Sequence, residues 1–478
     1  MDYSGARRPD PPEMPVTRSP ADPISAVPGL AWPAVGSNAA ASLLALQWQL
    51  QRSERWPRDV LEAHQLRQLD LLLRHCAANV PFWRERLANV GLPNDGPLDW
   101  DAWRRLPVLS RTEVREAGAA LHAGAIPPEH GKRGQGFTTG STGRPLQCLK
   151  TELSLFFWHG SVLREMIWHG WDPAGKLAII REAKNGSAPA PDGLVLAGWG
   201  TPVSTVFATG PAAMLDIRTP VAQQADWLMR QNPDYLVTWP SNLKPLARHC
   251  RESGLRPERL RVVRTLAEVV SPELRALCRE AWDAQLVDCY SAEEVGYIGI
   301  QCPAGEQLHV QSENLLLELL DEDGQPCGPG ETGQVVVTPL HNFAMPLLRY
   351  ALGDAAVAGS ACACGRTLPT LSRVLGRTRD RLLLPGGQRR FLENPSEVFA
   401  PIAAIRRYQI AQVAPDTLEV RLDAARKLTS DEQARLTAAL HRSTMHPFAV
   451  RFSDAAWPDA DTPQKFRDVV CEFAPADA

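Results

Sequence analysis

The sequence predicts an α/β protein in two parts: a large N-terminal unit whose β-sheets are flanked by helices and which carries a barrel-like β segment, then a small α+β unit. Three observations predict it. From Lys176 onward, short apolar stretches alternate with amphipathic ones: LAIIRE, VAQQADWLMRQ, YLVTW, LKPLARHCRESG, LRVVRTL, ELRALCREAW and QLVDCY. Such strand–helix alternation makes a sheet covered on both faces. Residues 315–339 then change character, because LLLELL, a DEDG turn, a Gly-Glu-Thr-Gly turn and QVVVTPL read as an antiparallel hairpin. Finally, 478 residues at 44% hydrophobic supply material for two or three cores, so the tail can fold as a unit of its own.

The elements follow in order. Residues 1–37 carry eight prolines and no apolar periodicity, and are expected to form a flexible arm. Asn38 is expected to cap a helix through NAAASLLALQWQLQRS. A second helix is expected from Val60 to Asn79, with Leu66, Leu69, Leu72, Leu73 and Cys76 on one face and Pro81 ending it. The α/β alternation and the hairpin come next, completing a large unit over 38–376. GRTRDRLLLPGG, mixing charges with a Pro-Gly-Gly turn, marks the boundary, and 377–478 form the small mobile unit. Its helix is expected from Ser430 to Arg442, before a DADTPQK loop.

Composition removes several function classes. With 51 Lys+Arg against 54 Asp+Glu, the net charge of −3 argues against nucleic acid as a partner. No stretch approaches the roughly 20 apolar residues that span a bilayer, so no membrane partner is expected. The first 20 residues mix Asp, Glu, Arg and Pro without an apolar run, so the cytoplasm is the expected compartment. Ten cysteines in so long a chain are not a disulfide scaffold; they read as free thiols, metal ligands or catalytic groups.

The most informative stretch is GQGFTTGSTGRP, Gly134 to Pro145. Small and hydroxylated residues in succession let backbone N–H groups converge on an anion without Cβ interference, which suits a phosphate cradle; a surface turn is the alternative. It is neither a Walker A loop, lacking Gly-Lys-Ser/Thr, nor a dinucleotide GxGxxG, since Thr139 stands where glycine is required. Four further patterns follow in order: YSAEEVG at Tyr290–Gly296, RYALGD at Arg349–Asp354, GRTRD at Gly376–Asp380 and TPQKFR at Thr462–Arg467. This ordered set resembles the adenylate-forming superfamily of acyl-CoA synthetases and adenylation domains. HNFAMPLLRYALGD followed by CACGRTLP is similar to the phenylacetate-CoA ligases and their capsule-biosynthesis-type relatives, and the resemblance covers roughly residues 60 to 470.

The resemblance implies a large adenylate-forming domain and a two-step reaction. ATP activates a carboxylic acid as an acyl-adenylate, and a thiol of coenzyme A, or of a carrier protein's phosphopantetheine, then takes the acyl group. No Asp-Ser pair occurs in the chain, so any carrier acts in trans. Passage to an amine or hydroxyl, or a nucleotide-binding pseudoenzyme, are the alternatives. By the resemblance, Thr138, Thr139, Gly140, Ser141, Thr142 and Gly143 hold the β- and γ-phosphates, Tyr290 faces adenine, Asp354 takes the ribose hydroxyls, and Arg377 makes a further nucleotide contact. Glu294 helps place Mg²⁺ and Lys465 is the mobile catalytic lysine, while Glu268 resembles the glutamate of the adenine-side segment. Glu293, Ser291, Gln464 and Leu146 depart from the family pattern at positions where Thr, Gly, Gly and Lys are common.

Two further readings stay open. Cys362-x-Cys364 before Gly365, with Cys302 and His309 of CPAGEQLH, offers the Cys₃His set of a structural zinc site; relatives in this branch have similar positions, and unrelated thiols are the alternative. Among fourteen tryptophans, Trp158, Trp168, Trp171, Trp199 and Trp239 cluster in the middle of the large unit, as core or as the wall of an aromatic acid pocket. By the resemblance, Trp239 and Ser241 lie where the family lines that pocket.

Overall fold

The computed structural model describes residues 23–88 except 31, 98–137 and 146–377, and in the C-terminal region 381–385, 389–390, 392, 399, 402–403, 405–424, 426–454 and 469–473. Helices α1 (Asn38–Ser53), α2 (Arg58–Asn79), α3 (Pro81–Ala88), α4 (Trp100–Arg105) and α5 (Arg111–Ala117) come first. Ser37, rather than the expected Asn38, caps α1 by accepting from the Ala40 N–H at 3.3 Å. Residues 23–37, part of the expected loose arm, make defined contacts, with the Ile24 N–H donating to Val206 O at 2.8 Å. The apolar face read from the sequence of α2 is buried: Leu69, Leu72, Leu73 and Cys76 join one core with Trp83, Trp103, Val337, Tyr350 and Leu371.

A hairpin of β1 (Arg133–Phe137) and β2 (Gln147–Thr151) precedes α6 (Glu152–Trp168), whose start is fixed by a Thr151/Ser154 capping box. The expected alternation follows as β3 (Leu177–Arg181), β4 (Leu194–Leu196), α7 (Val203–Val206), β5 (Ala212–Asp216), α8 (Val221–Gln231), β6 (Tyr235–Thr238), α9 (Pro240–Ser253), β7 (Val262–Leu266), α10 (Pro272–Trp282) and β8 (Gln285–Ala292). Strands β5, β3, β6, β7 and β8 are parallel neighbours. One face, from Ala178 to Leu286, packs on α8, α9 and α10, and Leu177, Tyr235, Val262 and Val287 line the other.

The segment expected to be barrel-like consists of β9 (Gly296–Gln301), β10 (Leu308–Val310), β11 (Leu315–Leu320), β12 (Thr332–Pro339), β13 (Tyr350–Ala358) and β14 (Thr370–Arg377). Its hairpin is as expected, with Leu315 opposite Pro339. These antiparallel strands continue the parallel ones in one twelve-stranded sheet, ordered β11-β12-β13-β14-β10-β9-β8-β7-β6-β3-β5-β4.

The C-terminal region has β15 (Leu382–Leu383), β16 (Arg389–Arg390), β17 (Ile405–Ala414), β18 (Thr417–Ala424), α11 (Ser430–Thr444), β19 (Ala449–Asp454) and β20 (Val469–Cys471). A four-stranded sheet, β19-β18-β17-β20, and α11 close their own core around Ile410, Val420, Leu436 and Phe448. The helix begins at a Thr429/Glu432 capping box and runs two residues beyond the expected Arg442. No helix among the described residues is long and apolar enough to cross a membrane.

Candidate active site

The C-terminal ends of the parallel strands open into a cavity of ≈ 1240 Å³, the position at which open α/β sheets bind ligands. At one end, three sequence-predicted residues meet. Asp354 and Arg377 are opposite one another on β13 and β14, and their side chains pair at 3.1 Å. Tyr290 on β8 donates its hydroxyl to the other oxygen of Asp354 at 2.7 Å. Gly353 holds φ at +81°, a conformation that suits glycine, immediately before the carboxylate. Burial and the neighbouring Asp354 push the Tyr290 phenol well up, and against its own burial the Asp354 and Glu294 carboxylates hold Arg377 above its ordinary value. The trio thus joins the Asp354 carboxylate to a guanidinium on one oxygen and to a neutral hydroxyl donor on the other.

Glu294 lies just beyond β8, buried, with Oε1 accepting from Arg111 at 2.9 Å. Arg111 also reaches the Tyr350 hydroxyl at 3.4 Å. The adjacent Glu293 pairs with Lys150 of β2 at 2.6 Å, and that ammonium lies 4.7 Å from the centre of the Trp158 ring. Glu293 also explains Gly136, where an added Cβ would come within 2.5 Å of Glu293 Oε1. The β1–β2 hairpin is therefore anchored to the β8–β9 turn. Residues Thr138 to Gly143, between those two strands, and Lys465 lie outside the described residues.

Glu268 and Ser241 are brought together: Glu268 accepts from the Ser241 N–H at 2.8 Å and from its hydroxyl at 3.0 Å. Both line the cavity with Trp239, whose buried indole N–H has no hydrogen-bond partner. Trp171 and Trp199 pack against Tyr235 deeper in, whereas Trp168 belongs to a core with Leu61 and Leu368. The cavity floor carries charge the sequence did not announce. Arg264 of β7 forms a two-pronged pair with Glu165 of α6 at 2.8 and 2.9 Å, and donates to the Tyr297 hydroxyl at 2.6 Å. Arg111, Glu165 and Arg264 were missed because their partners are 183 and 99 residues away, with no local motif at either end.

Away from this cavity, the ligand atoms of Cys302, His309, Cys362 and Cys364 all lie within 4.8 Å of one another. Cys302 Sγ is 3.5 Å from Cys362 Sγ, and Cys364 Sγ is 3.3 Å from His309 Nε2. The β9–β10 hairpin brings Cys302 near His309, and the Cys362–Gly365 turn, closed by Gly365 at φ +79°, supplies the other pair. Burial pushes His309 down to about 4 and Cys302 up to about 12. Cys364, despite its burial, is held below the ordinary thiol value by hydrogen bonds from Arg366. Three soft sulfurs and a neutral imidazole, mutually at tetrahedral-edge distances, fit a zinc ion.

No family model matches the chain. It is 27% identical to a phenylacetate-coenzyme A ligase of Thermus thermophilus over 377 residues, covering 77% of this chain and 81% of the relative. A phenylacetate-coenzyme A ligase of Pseudomonas putida is 23% identical over 336 residues, covering 69% and 73%. The chain is thus similar to phenylacetate-coenzyme A ligases over more than two thirds of its length. Among solved structures, a 2-hydroxyisobutyryl-CoA ligase in its postadenylation state matches with a TM-score of 0.71 at 18% identity, over 88% of this chain and 92% of that one. An anthranilate CoA ligase in complex with anthranoyl-AMP matches with a TM-score of 0.51 at 15% identity, over 70% and 64%. The chain thus has the α/β fold and the small α+β C-terminal unit that its motifs implied.

Proposed function

We propose that this chain uses ATP to activate a carboxylic acid as an acyl-adenylate, releasing pyrophosphate, and passes the acyl group to the thiol of coenzyme A, releasing AMP. The observation that carries the reading is the meeting of Tyr290, Asp354 and Arg377, from three separate strands, at one end of a cavity walled elsewhere by Trp171, Trp199 and Tyr235. One end suits a nucleoside and the other an apolar acyl group. Asp354, paired with Arg377, would accept from the ribose hydroxyls, while Tyr290 would present its ring to adenine.

Attack of the acid's carboxylate on the α-phosphorus needs charge neutralisation and alignment more than covalent help. Thr138 to Gly143 would cradle the β- and γ-phosphates, and Lys465 would stabilise charge shared by the phosphate and the incoming carboxylate. Mg²⁺ would supply further neutralisation. Glu294 is the hard oxygen ligand for it, in competition with Arg111, which holds that carboxylate here. Glu268 acts through Ser241, fixing the turn that carries Trp239.

The acid is proposed to be aromatic, matched to the tryptophan-lined wall. Residues 38–376 and 377–478 are the proposed domains, the smaller rotating near Arg379 between the two half-reactions. A structural zinc ion is proposed for the Cys₃His set. Ten cysteines without a disulfide suit the cytoplasm. A carrier-protein phosphopantetheine offers the same thiol and is the second acceptor to be tried.

The test is incubation of the protein with ATP, Mg²⁺, a panel of aryl and alkyl acids, and coenzyme A, holo-carrier protein or an amine in parallel. Acid-dependent AMP with acyl-CoA by mass supports the reading. AMP release accelerated only by amines would remove the thiol half, and nucleotide binding without AMP from any acid would leave a pseudoenzyme.

A further inference from the structure

At the ends of β3 and β6 the cavity lining includes a guanidinium and an indole, those of Arg181 and Trp239. Ile179 pairs with Val237 in register, so two residues further on Arg181 comes level with Trp239 on the same face of the sheet. Both side chains line the cavity. The Trp239 indole N–H, buried and lining the cavity, has no hydrogen-bond partner among the described residues.

Arg181 differs from the other guanidinium beside it. Arg264 is neutralised by Glu165, but Arg181 has no ion pair among the described residues. The carboxylate level with it on β5, Asp216, is taken by Arg218 at 3.0 and 3.2 Å, and Glu182, which also lines the cavity, is not paired to it. Arg181 is exposed where it lines the cavity, and the nearby Arg264 charge repels it, an effect that an anion placed there would offset.

Position fixes what such an anion can be. In the sheet order β8-β7-β6-β3, Arg181 is three strands from Tyr290, about 14 Å at the usual strand spacing. The nucleotide end is already furnished with Asp354, Arg377 and Glu294. The lining between carries Val237, Leu266 and Trp239, and its one guanidinium on β7, Arg264, is already neutralised by Glu165. We propose that Arg181, with the indole N–H of Trp239, binds a second anionic group at the far end of the acid, so that the preferred substrate class is an aryl acid bearing a distal carboxylate. This rests on the acid-activating reading above and names the substrate of that same site. Arg181 is a specificity residue: it touches the substrate remote from the reacting carboxylate.

The experiment compares kcat/KM for acid-dependent AMP formation with phenylacetate and with 4-carboxyphenylacetate, in the wild type and in Arg181→Met and Arg181→Lys. A charge-assisted hydrogen bond to an otherwise unpaired guanidinium leads to a preference for the dicarboxylate of roughly tenfold or more in the wild type. That preference should be kept in large part by Arg181→Lys and lost in Arg181→Met, with Arg181→Gln serving where Arg181→Met does not fold. A wild type that prefers phenylacetate overturns the proposal, as does an unchanged ratio in Arg181→Met. An equal loss on both acids would also overturn it, because Arg181 would then hold the reacting carboxylate. If phenylacetate is activated and the dicarboxylate is not, only this inference falls; if no acid in a broad panel yields AMP, the activity itself falls and takes the inference with it.

Discussion

Buried charge at the cavity floor is held by partners rather than by solvent. Glu165 is 1% exposed, and its carboxylate is answered by Arg264 and by the Tyr297 hydroxyl at 3.0 Å. Arg264→Met would strand that carboxylate in a low-dielectric site, and denaturant unfolding should register a loss of about 3 kcal/mol or more. Asp288 carries the opposite problem. Burial, opposed by Arg275 and by a hydrogen bond from Thr265 at 3.2 Å, raises it to about 7. Its folded-state pKa lies above the unfolded one, so the native state binds the extra proton in the window between them, and stability falls as pH rises toward 7. Asp288→Asn has no proton to lose. Its stability relative to the wild type, followed by thermal melts from pH 5 to pH 8, should therefore increase across that range; a constant difference would reject the raised pKa. Asp354→Ala leaves Tyr290 and Arg377 without their shared acceptor. Removing a charged hydrogen-bonding group should lower kcat/KM for ATP by roughly tenfold or more. Tyr290, Asp354 and Arg377 were legible because each belongs to a short motif with a fixed neighbourhood in the chain. Arg111, Arg181 and Arg264 were not, because what gives an arginine meaning here is a carboxylate, or the want of one, brought near by the sheet.

Strands and helices show the same division. The alternation from β3 to β8 could be read directly, since parallel strands buried on both faces are continuous apolar runs and the helices between them are amphipathic. The place of the antiparallel strands could not. Joining them to the same sheet depends on β10 lying between β9 and β14, where Leu308 pairs with Leu371 across more than sixty residues of sequence. The four proposed zinc ligands stand at that junction, two in the β9–β10 hairpin and two in the β13–β14 connection. A metal there closes a long loop and couples the two hairpins. Protein purified without an affinity tag should hold about one zinc per chain by atomic spectroscopy, and a strong chelator should lower the melting temperature by several degrees or more. Zinc-free protein with an unchanged melt would remove the clamp.

The strands β17–β20 and α11 close a core of their own, apart from the clusters that pack on the twelve-stranded sheet. Tyr408 and Val469 of the smaller core border the same cavity as Asp354 and Trp239, which is where an acid-activating lysine from the tail would have to arrive. The proposed cradle from Thr138 to Gly143 and the proposed catalytic Lys465 both fall outside the described residues. Chemistry can judge them. Reversal of acyl-adenylate formation moves labelled pyrophosphate into ATP, and does so without coenzyme A, so it isolates the half-reaction for which the nucleotide and acyl ends of the cavity are matched. Acid-dependent exchange in the wild type, reduced far more than ATP affinity in Lys465→Ala, is the expected result. Exchange that proceeds equally well without acid, or that is untouched by Lys465→Ala, would contradict it.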